Sequence, residues 1–353
     1  MSPPPEIPPV DLMRRRLSLT TALLAATPLG WARPSAPTID ADMGAGTQNT
    51  SADLVANKST RAGELLVSHV DLGPPDGQPV LLLHGWPYDI QTYAEATRLL
   101  VRDGYRVIVP YLRGHGRTSF LFTSTPRNGQ QSVLARDAIA LLDALRIKRA
   151  IIGGCDWGAR TANVIAALWP ERCDGLVSVS GYLIGGQDAG RKPLPPESEL
   201  SWWYQFYFAT ERGRIGYAQN RREFARLIWR LASPRWRFDD ATFDKSASAL
   251  ENPDHVAVVI HNYRWRLGLV SGDPTLAGIE ARLSKSPLIS TPSITLEGDA
   301  NGAPHPLPES YAGKFTGPYE HRNVIGGIGH NLPQEAPVAF AKAIQDVTSI
   351  GAG

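Results

Sequence analysis

Gly154-Cys155-Asp156-Trp157-Gly158 is the stretch that decides how this chain folds. It follows an apolar run, Ala150-Ile151-Ile152-Gly153, and precedes a helical pattern over 159–169. A short buried strand, a sharp turn and a helix follow one another. The flanking glycines leave room for a tight turn that thrusts the central side chain out over the edge of a sheet. That side chain is a carboxylate. An exposed carboxylate attacks an electrophilic sp³ carbon, whereas a serine in the same place attacks a carbonyl. The bland alternative makes Asp156 a helix N-cap favoured by the dipole. The motifs elsewhere in the chain favour the nucleophile.

Upstream, 64–71 reads as a strand. A turn at Gly73-Pro74-Pro75-Asp76-Gly77 returns it to the buried strand Pro79-Val80-Leu81-Leu82-Leu83, which ends in His84-Gly85-Trp86-Pro87. A helix over 93–101 and a strand over 105–110 come next, then a Gly-rich connection at 112–118. Leu134, Ile139, Leu141, Leu142 and Leu145 lie at helical spacing within 133–145. Downstream of the elbow, 176–180 is again a strand. This alternation predicts an α/β protein with a mostly parallel, doubly wound sheet. The rhythm breaks over 183–286, which is rich in aromatics and arginine, enters through Pro193, Pro195 and Pro196, and carries helical patterns at 202–208, 222–231 and 255–265. The strand pattern resumes at 293–298 and 322–325, and a last helix spans 336–347. The expected organisation is therefore a leader and flexible lead-in over 1–59, a core over 60–182 and 287–353, and an inserted helical cap over 183–286. Such an insertion, at the carboxyl edge of the sheet, roofs the expected site.

The 353 residues carry 36 Lys+Arg against 34 Asp+Glu, a balance that gives no reason to expect a nucleic-acid partner. Two cysteines, Cys155 and Cys173, make no disulfide framework; their expected positions at opposite ends of neighbouring parallel strands keep them apart. Arg14-Arg15-Arg16-Leu17-Ser18-Leu19 resembles a twin-arginine signal, with Gly30-Trp31-Ala32 as a small-x-small cleavage site. It predicts a periplasmic or secreted enzyme; a disordered basic leader on a cytoplasmic one is the alternative. The apolar run after the arginines is too short to span a bilayer, so no stable membrane insertion is expected.

Four features, in order, carry a resemblance that covers about 63–350: His84-Gly85-Trp86-Pro87, the Asp156 elbow, the aromatic segments Trp203-Tyr204-Gln205-Phe206-Tyr207-Phe208 and Asn262-Tyr263-Arg264, and Gly329-His330-Asn331. Together they resemble the epoxide hydrolase and haloalkane dehalogenase group of the α/β-hydrolases. The resemblance implies a hydrolase needing no cofactor and no metal. Asp156 is its nucleophile, His330 the base that activates water, and the backbone N–H groups of Trp86 and Trp157 the oxyanion hole. It also implies a cis Trp86-Pro87 peptide, and Tyr204 and Tyr263 as paired phenols that protonate an epoxide oxygen. Asn301 stands where the family usually carries the acid that orients the histidine, so Asp299, two residues earlier, is the expected carboxylate, with Glu297 further back in the strand.

The expected reaction opens a small apolar epoxide to a vicinal diol. A dehalogenase with the same Asp156 and His330 is the enzymatic alternative, since a halide needs N–H donors and no proton. A non-catalytic ligand-binding protein is the other, motivated by Asn301. His84 reads as a structural histidine and the Arg113-Gly114-His115-Gly116 loop as structural. His69, His261, His305 and His321 read as surface or structural groups, and the remaining cap aromatics as packing.

Overall fold

Along Pro79–Leu83 the side chains alternate between two hydrophobic layers: Leu81 and Leu83 join one, Val80 and Leu82 the other. A strand buried on both faces has to be sandwiched between helices, and the rest of the sheet follows that rule. The computed structural model describes the backbone of Thr38–Asp40 and residues 53–350. In chain order the strands are β1 (Thr38–Asp40), β2 (Lys58–Ala62), β3 (Leu65–Leu72), β4 (Pro79–Leu83), β5 (Arg106–Pro110), β6 (Ser119–Phe120), β7 (Ala150–Gly154), β8 (Cys173–Val179), β9 (Ser293–Gly298) and β10 (Tyr319–Ile325). They form one sheet in the order β1-β10-β9-β8-β7-β4-β5-β3-β2, with β6 beside β3. The sheet is parallel from β1 to β5 along this order, and antiparallel where β3 meets β5, β2 and β6.

Helices α1 (Ala94–Arg102), α2 (Gln131–Ala144) and α3 (Trp157–Leu168) belong to the core. Residues of α2 and α3 pack with Leu81, Leu83 and Ile152 on one face. Ala96 and Leu100 of α1, with Phe340 and Ile344 near the C-terminus, pack with Val80, Leu82 and Ile151 on the other. Between β8 and β9 run α4 (Gln187–Gly190), α5 (Pro196–Ser201), α6 (Trp203–Ala209), α7 (Glu211–Gln219), α8 (Arg221–Ala232), α9 (Asp240–Ala247), α10 (His255–Arg266) and α11 (Ala277–Leu283). In α8, Phe224, Ala225, Ile228, Trp229 and Ala232 are buried at one-face spacing. Trp229 stacks on Tyr88 and Trp236, and its Nε1 donates to Pro87 O at 3.0 Å. That bond ties the cap to the loop after β4. The chain closes with α12 (Pro308–Tyr311), α13 (Leu332–Glu335) and α14 (Pro337–Asp346). Among the described residues no helix is long and apolar enough to cross a membrane.

Two expectations need correction. The turn at 73–77 does not pair its flanking strands: β3 joins β5, because both edges of β4 are already taken by β5 and β7. The lead-in expected to end at 59 also contains structure. Thr38–Asp40 pairs with β10, β2 forms a hairpin with β3, and Leu54 is buried. Segments of three and five residues are too short for periodicity to reveal. The twin-arginine-like leader lies outside the described residues.

Candidate active site

The elbow is built by close backbone packing. Asp156 sits at φ 55° and ψ −119°, in a region that side chains rarely occupy. A Cβ on Gly158 would lie 1.7 Å from Leu83 O, and one on Gly85 would lie 2.3 Å from the Asp156 Cβ. Only glycine at both positions lets the start of α3 press against the loop that follows β4. The Trp86–Pro87 peptide in that loop is cis.

This contact aims the loop at the carboxylate. Trp86 N–H donates to Asp156 Oδ1 at 2.9 Å, and His330 Nε2 stands 3.4 Å from Oδ2. Burial acts to raise the Asp156 carboxyl. The His330 ring, through its hydrogen bond and charge, and the N–H groups of Trp86 and Trp157 outweigh it and hold the group below its ordinary value. Burial likewise acts to lower His330, but the Asp156 bond and charge, with Glu297 and Glu335 adding theirs, raise it. The two oxygens of Asp156 are thus distinguished, one cradled by backbone donors and one facing an imidazole.

His330 follows β10 and is fixed through its backbone. Its N–H donates to Ser233 Oγ at 3.0 Å and to Ala232 O at 3.2 Å. Ser233 Oγ donates to Glu335, which also accepts from the N–H groups of Gly329 and Asn331. Neither Ser233 nor Glu335 was singled out from the sequence. An acid in the first turn of α13 was the one available signal for Glu335.

Asp299 does not orient His330. Its carboxylate accepts from the N–H groups of Gly326, Gly327 and Ile328 at 3.2, 2.8 and 2.8 Å, so it closes the loop after β10. Asn301 does not replace it: its Nδ2 donates to Glu297 at 2.7 Å and its Oδ1 accepts from Ala303 N–H. Among the described residues His330 Nδ1 is buried without a partner. Glu297, at the end of β9, acts on the ring through its charge.

Tyr204 lies on α6 and Tyr263 on α10. Their rings meet edge to face with centroids 5.4 Å apart, and both pack on Trp86, at 5.4 and 5.2 Å. Burial and then the Asp156 charge push the Tyr204 phenol up to about 12, so it is protonated at neutral pH. Burial, then Tyr204 and Asp156, raise Tyr263 as well. A cavity of about 360 Å³ opens over the carboxylate, lined among others by Asp156, His330, Trp86, Tyr204 and Tyr88. Tyr263 is not among the lining residues; it is buried, with its ring 5.9 Å from that of Trp157.

Behind Trp86 runs a hydrogen-bonded line that the sequence did not disclose. Its Nε1 donates to Tyr217 Oη at 2.7 Å, Tyr217 Oη bonds His255 Nε2 at 2.7 Å, and His255 Nδ1 bonds Gly114 O at 2.8 Å. The line joins α7 and α10 of the cap to two core loops. His84 is structural, as read: Nδ1 bonds Gly85 O, Nε2 accepts from Leu112 N–H, and burial followed by the neighbouring His115 pushes its pKa down to about 3. Cys155 and Cys173 are buried and free, at opposite ends of β7 and β8.

Residues 78–230 match the family model described as alpha/beta hydrolase fold. The crystal structure of a candidate epoxide hydrolase from Klebsiella pneumoniae is 62% identical, covering 83% of this chain and 97% of that one, with a TM-score of 0.82. The chain belongs to the α/β-hydrolase family, in its epoxide hydrolase and haloalkane dehalogenase group. Epoxide hydrolase B of Mycobacterium tuberculosis is 35% identical over 156 residues, which are 40% of this hydrolase and 43% of that protein. A haloalkane dehalogenase of Psychrobacter cryohalolentis is 35% identical over 109 residues, 31% of this hydrolase and 35% of that enzyme. The hydrolase therefore matches less than half the length of these curated relatives.

Proposed function

We propose that this hydrolase opens epoxides to vicinal diols through an alkyl-enzyme ester on Asp156. The observation that carries the reading is the split carboxylate in a cavity that Tyr204 also lines, with Tyr263 packed edge to face against Tyr204. Oδ2 attacks a ring carbon while Tyr204 and Tyr263 give a proton to the departing oxygen, which would otherwise leave as an alkoxide. Oδ1, already held by Trp86 N–H, becomes the ester carbonyl oxygen. It bears the negative charge when water, deprotonated by His330, adds to the ester carbon, and backbone donors fixed in advance stabilise that charge. Collapse of the tetrahedral intermediate returns the carboxylate and releases the diol, and the proton that His330 took from water goes back to the phenolate, which restores both groups.

The electrostatics suit this order of events. While Asp156 is ionised, its charge raises His330. Esterification neutralises the carboxylate and removes that support, so the imidazole loses affinity for its proton when a base is needed. Glu297 and Glu335 then remain to stabilise the imidazolium that water activation produces.

Replacing His330 with Gln is expected to stop the second step and leave an adduct on Asp156, detected by mass spectrometry of the peptide after reaction with a styrene-type epoxide. No adduct with any of several reactive epoxides would overturn the mechanism. Dehalogenation is the less favoured reading, because the Trp86 indole N–H, one of two donors available for a halide, is taken by Tyr217. Halide release that survives both Tyr204→Phe and Tyr263→Phe would reverse that preference.

The leader supports export through a twin-arginine route. A periplasmic protein whose mature N-terminus follows Ala32 is the expected finding, and a cytoplasmic protein that retains Arg14 to Arg16 would contradict it.

A further inference from the structure

A second cavity, of about 450 Å³, adjoins the first, and the two share Arg160, Leu194, Trp202 and Arg266 in their linings. Arg160 lies in the first turn of α3, four residues from the nucleophile. Its Nε donates to Leu183 O at 2.8 Å, and its other guanidinium donors have no protein partner among the described residues. Arg266, at the end of α10, lies over the rings of Trp202 and Tyr263 at 5.5 and 5.6 Å. Among the described residues neither arginine forms an ion pair, although most of the partly buried arginines do, Arg113, Arg127 and Arg322 among them.

Two neighbouring, partly buried cations that form no ion pair are costly, since a buried charge is ordinarily paired; the charge of Asp156 offsets only part of that cost at Arg160. The repulsion is visible in Arg160, which burial, followed by the charge of Arg266, pushes down to about 9. Arg191 and Lys192 also line the second cavity. The one carboxylate in that lining, Glu199, accepts from Leu194 N–H. Four basic side chains thus stand against one carboxylate in that lining, and an excess of one sign in a concave wall concentrates an anion.

We propose that Arg160 and Arg266 form a carboxylate-binding subsite where the two cavities meet, so that the substrate is a short acid carrying its epoxide a few bonds from the carboxylate. A planar guanidinium with free donors grips a carboxylate through two parallel hydrogen bonds. The spacing sets the length, because four residues of helix advance roughly 6 Å, placing the anion about one turn from Asp156. Trp202 and Leu194 pack beside the short carbon chain between them. This deepens the epoxide reading and rests on it for the reacting group alone.

The test compares kcat/KM for epoxybutanoate and its neutral amide. The wild type should prefer the acid by roughly ten-fold or more, the order expected for a charge-assisted bidentate contact. Arg160→Gln and Arg266→Gln should each erode that preference, and Arg160→Lys should restore part of it. An acid-to-amide ratio near one in the wild type, or one that neither Gln variant moves, would overturn the subsite. Thermal unfolding of each variant checks that it is folded.

Calorimetry of Asp156→Asn with butanoate reads the subsite without turnover. Saturable binding that Arg160→Gln weakens about ten-fold supports the subsite even if no epoxide is hydrolysed, in which case only the reaction assignment fails. Turnover of neutral epoxides with no butanoate binding leaves the reaction standing and removes the subsite. Inorganic phosphate binding more tightly than butanoate would replace the carboxylate as the ligand class.

Discussion

Asp299 and Asp156 show how differently two carboxylates act on one fold. Asp156 is held ionised by a histidine and two backbone donors, so the acid limb of kcat/KM is expected to fall below the ordinary carboxylate range. The sign follows from the attack itself: it needs the charged form, and the lowered pKa preserves that form as pH drops. Pre-steady-state alkylation measured from neutral pH down to pH 4 checks it, and a limb centred above the ordinary range would contradict it. Asp299 serves the loop instead. Asp299→Ala should keep turnover within a few-fold while lowering stability by roughly 1 kcal/mol, because its bonds to Gly326 and Gly327 are solvent-exposed and only that to Ile328 is partly buried. Glu297→Gln is the contrasting variant, expected to slow ester hydrolysis more than ester formation. For the phenols, Tyr204→Phe should slow alkylation by roughly 10²-fold, the low end for loss of a general acid, since Tyr263 remains. Single-turnover kinetics read both steps.

At the scale of elements, the site is a meeting of three pieces: the loop after β4, the start of α3 and the cap helices α6, α7 and α10. The line Trp86–Tyr217–His255–Gly114 ties α7 and α10 to the loop after β4 and to the Gly114 loop. Tyr217→Phe removes the middle of that line and leaves the Trp86 indole N–H and His255 Nε2 buried and unpaired. A destabilisation of about 1–3 kcal/mol is expected, read by chemical denaturation. Turnover should fall as well, because the Trp86 main chain supplies the N–H that holds Oδ1. Unchanged stability would show that water or a neighbour replaces the phenol. The elbow itself was legible in the chain, since its glycines, strand and helix are local signals. The line behind Trp86 was not, because residues separated by 131 and 38 positions meet only when the cap closes on the core.

Across the whole molecule, the cap is also tied to the core by Asp89, a fully buried acid after β4. Its Oδ1 accepts from Ser246 Oγ of α9 and from Gln91 N–H. Burial, opposed by those two bonds, raises its pKa to about 7, above the roughly 4 of an unfolded chain. The folded protein therefore holds this proton more tightly than the unfolded one. The resulting stability is complete below about pH 4 and is lost as pH rises through about 7. Asp89→Asn abolishes the titration while keeping an acceptor for Ser246. The Tm of wild type should thus fall relative to that of Asp89→Asn between pH 5 and pH 8; a gap independent of pH would show that Asp89 does not titrate there.

What the sequence determined by itself is what short-range order encodes. Alternation of strand and helix signals specified a doubly wound sheet, two glycines specified the elbow, and Asp156, His330, Trp86 and Tyr204 could be singled out because each stands at a strand end or in a short motif that carries the family resemblance. Tertiary structure decided the rest. It took Asp299 away from His330, because a loop carboxylate bonds whichever N–H groups the neighbouring strand's end presents. It put β5 between β3 and β4, because pairing depends on which sheet edges are free. It also set Arg160 and Arg266 in the same cavity linings with no ion pair to either among the described residues. A side chain's type is written in the chain, but the absence of a partner is a property of the space around it.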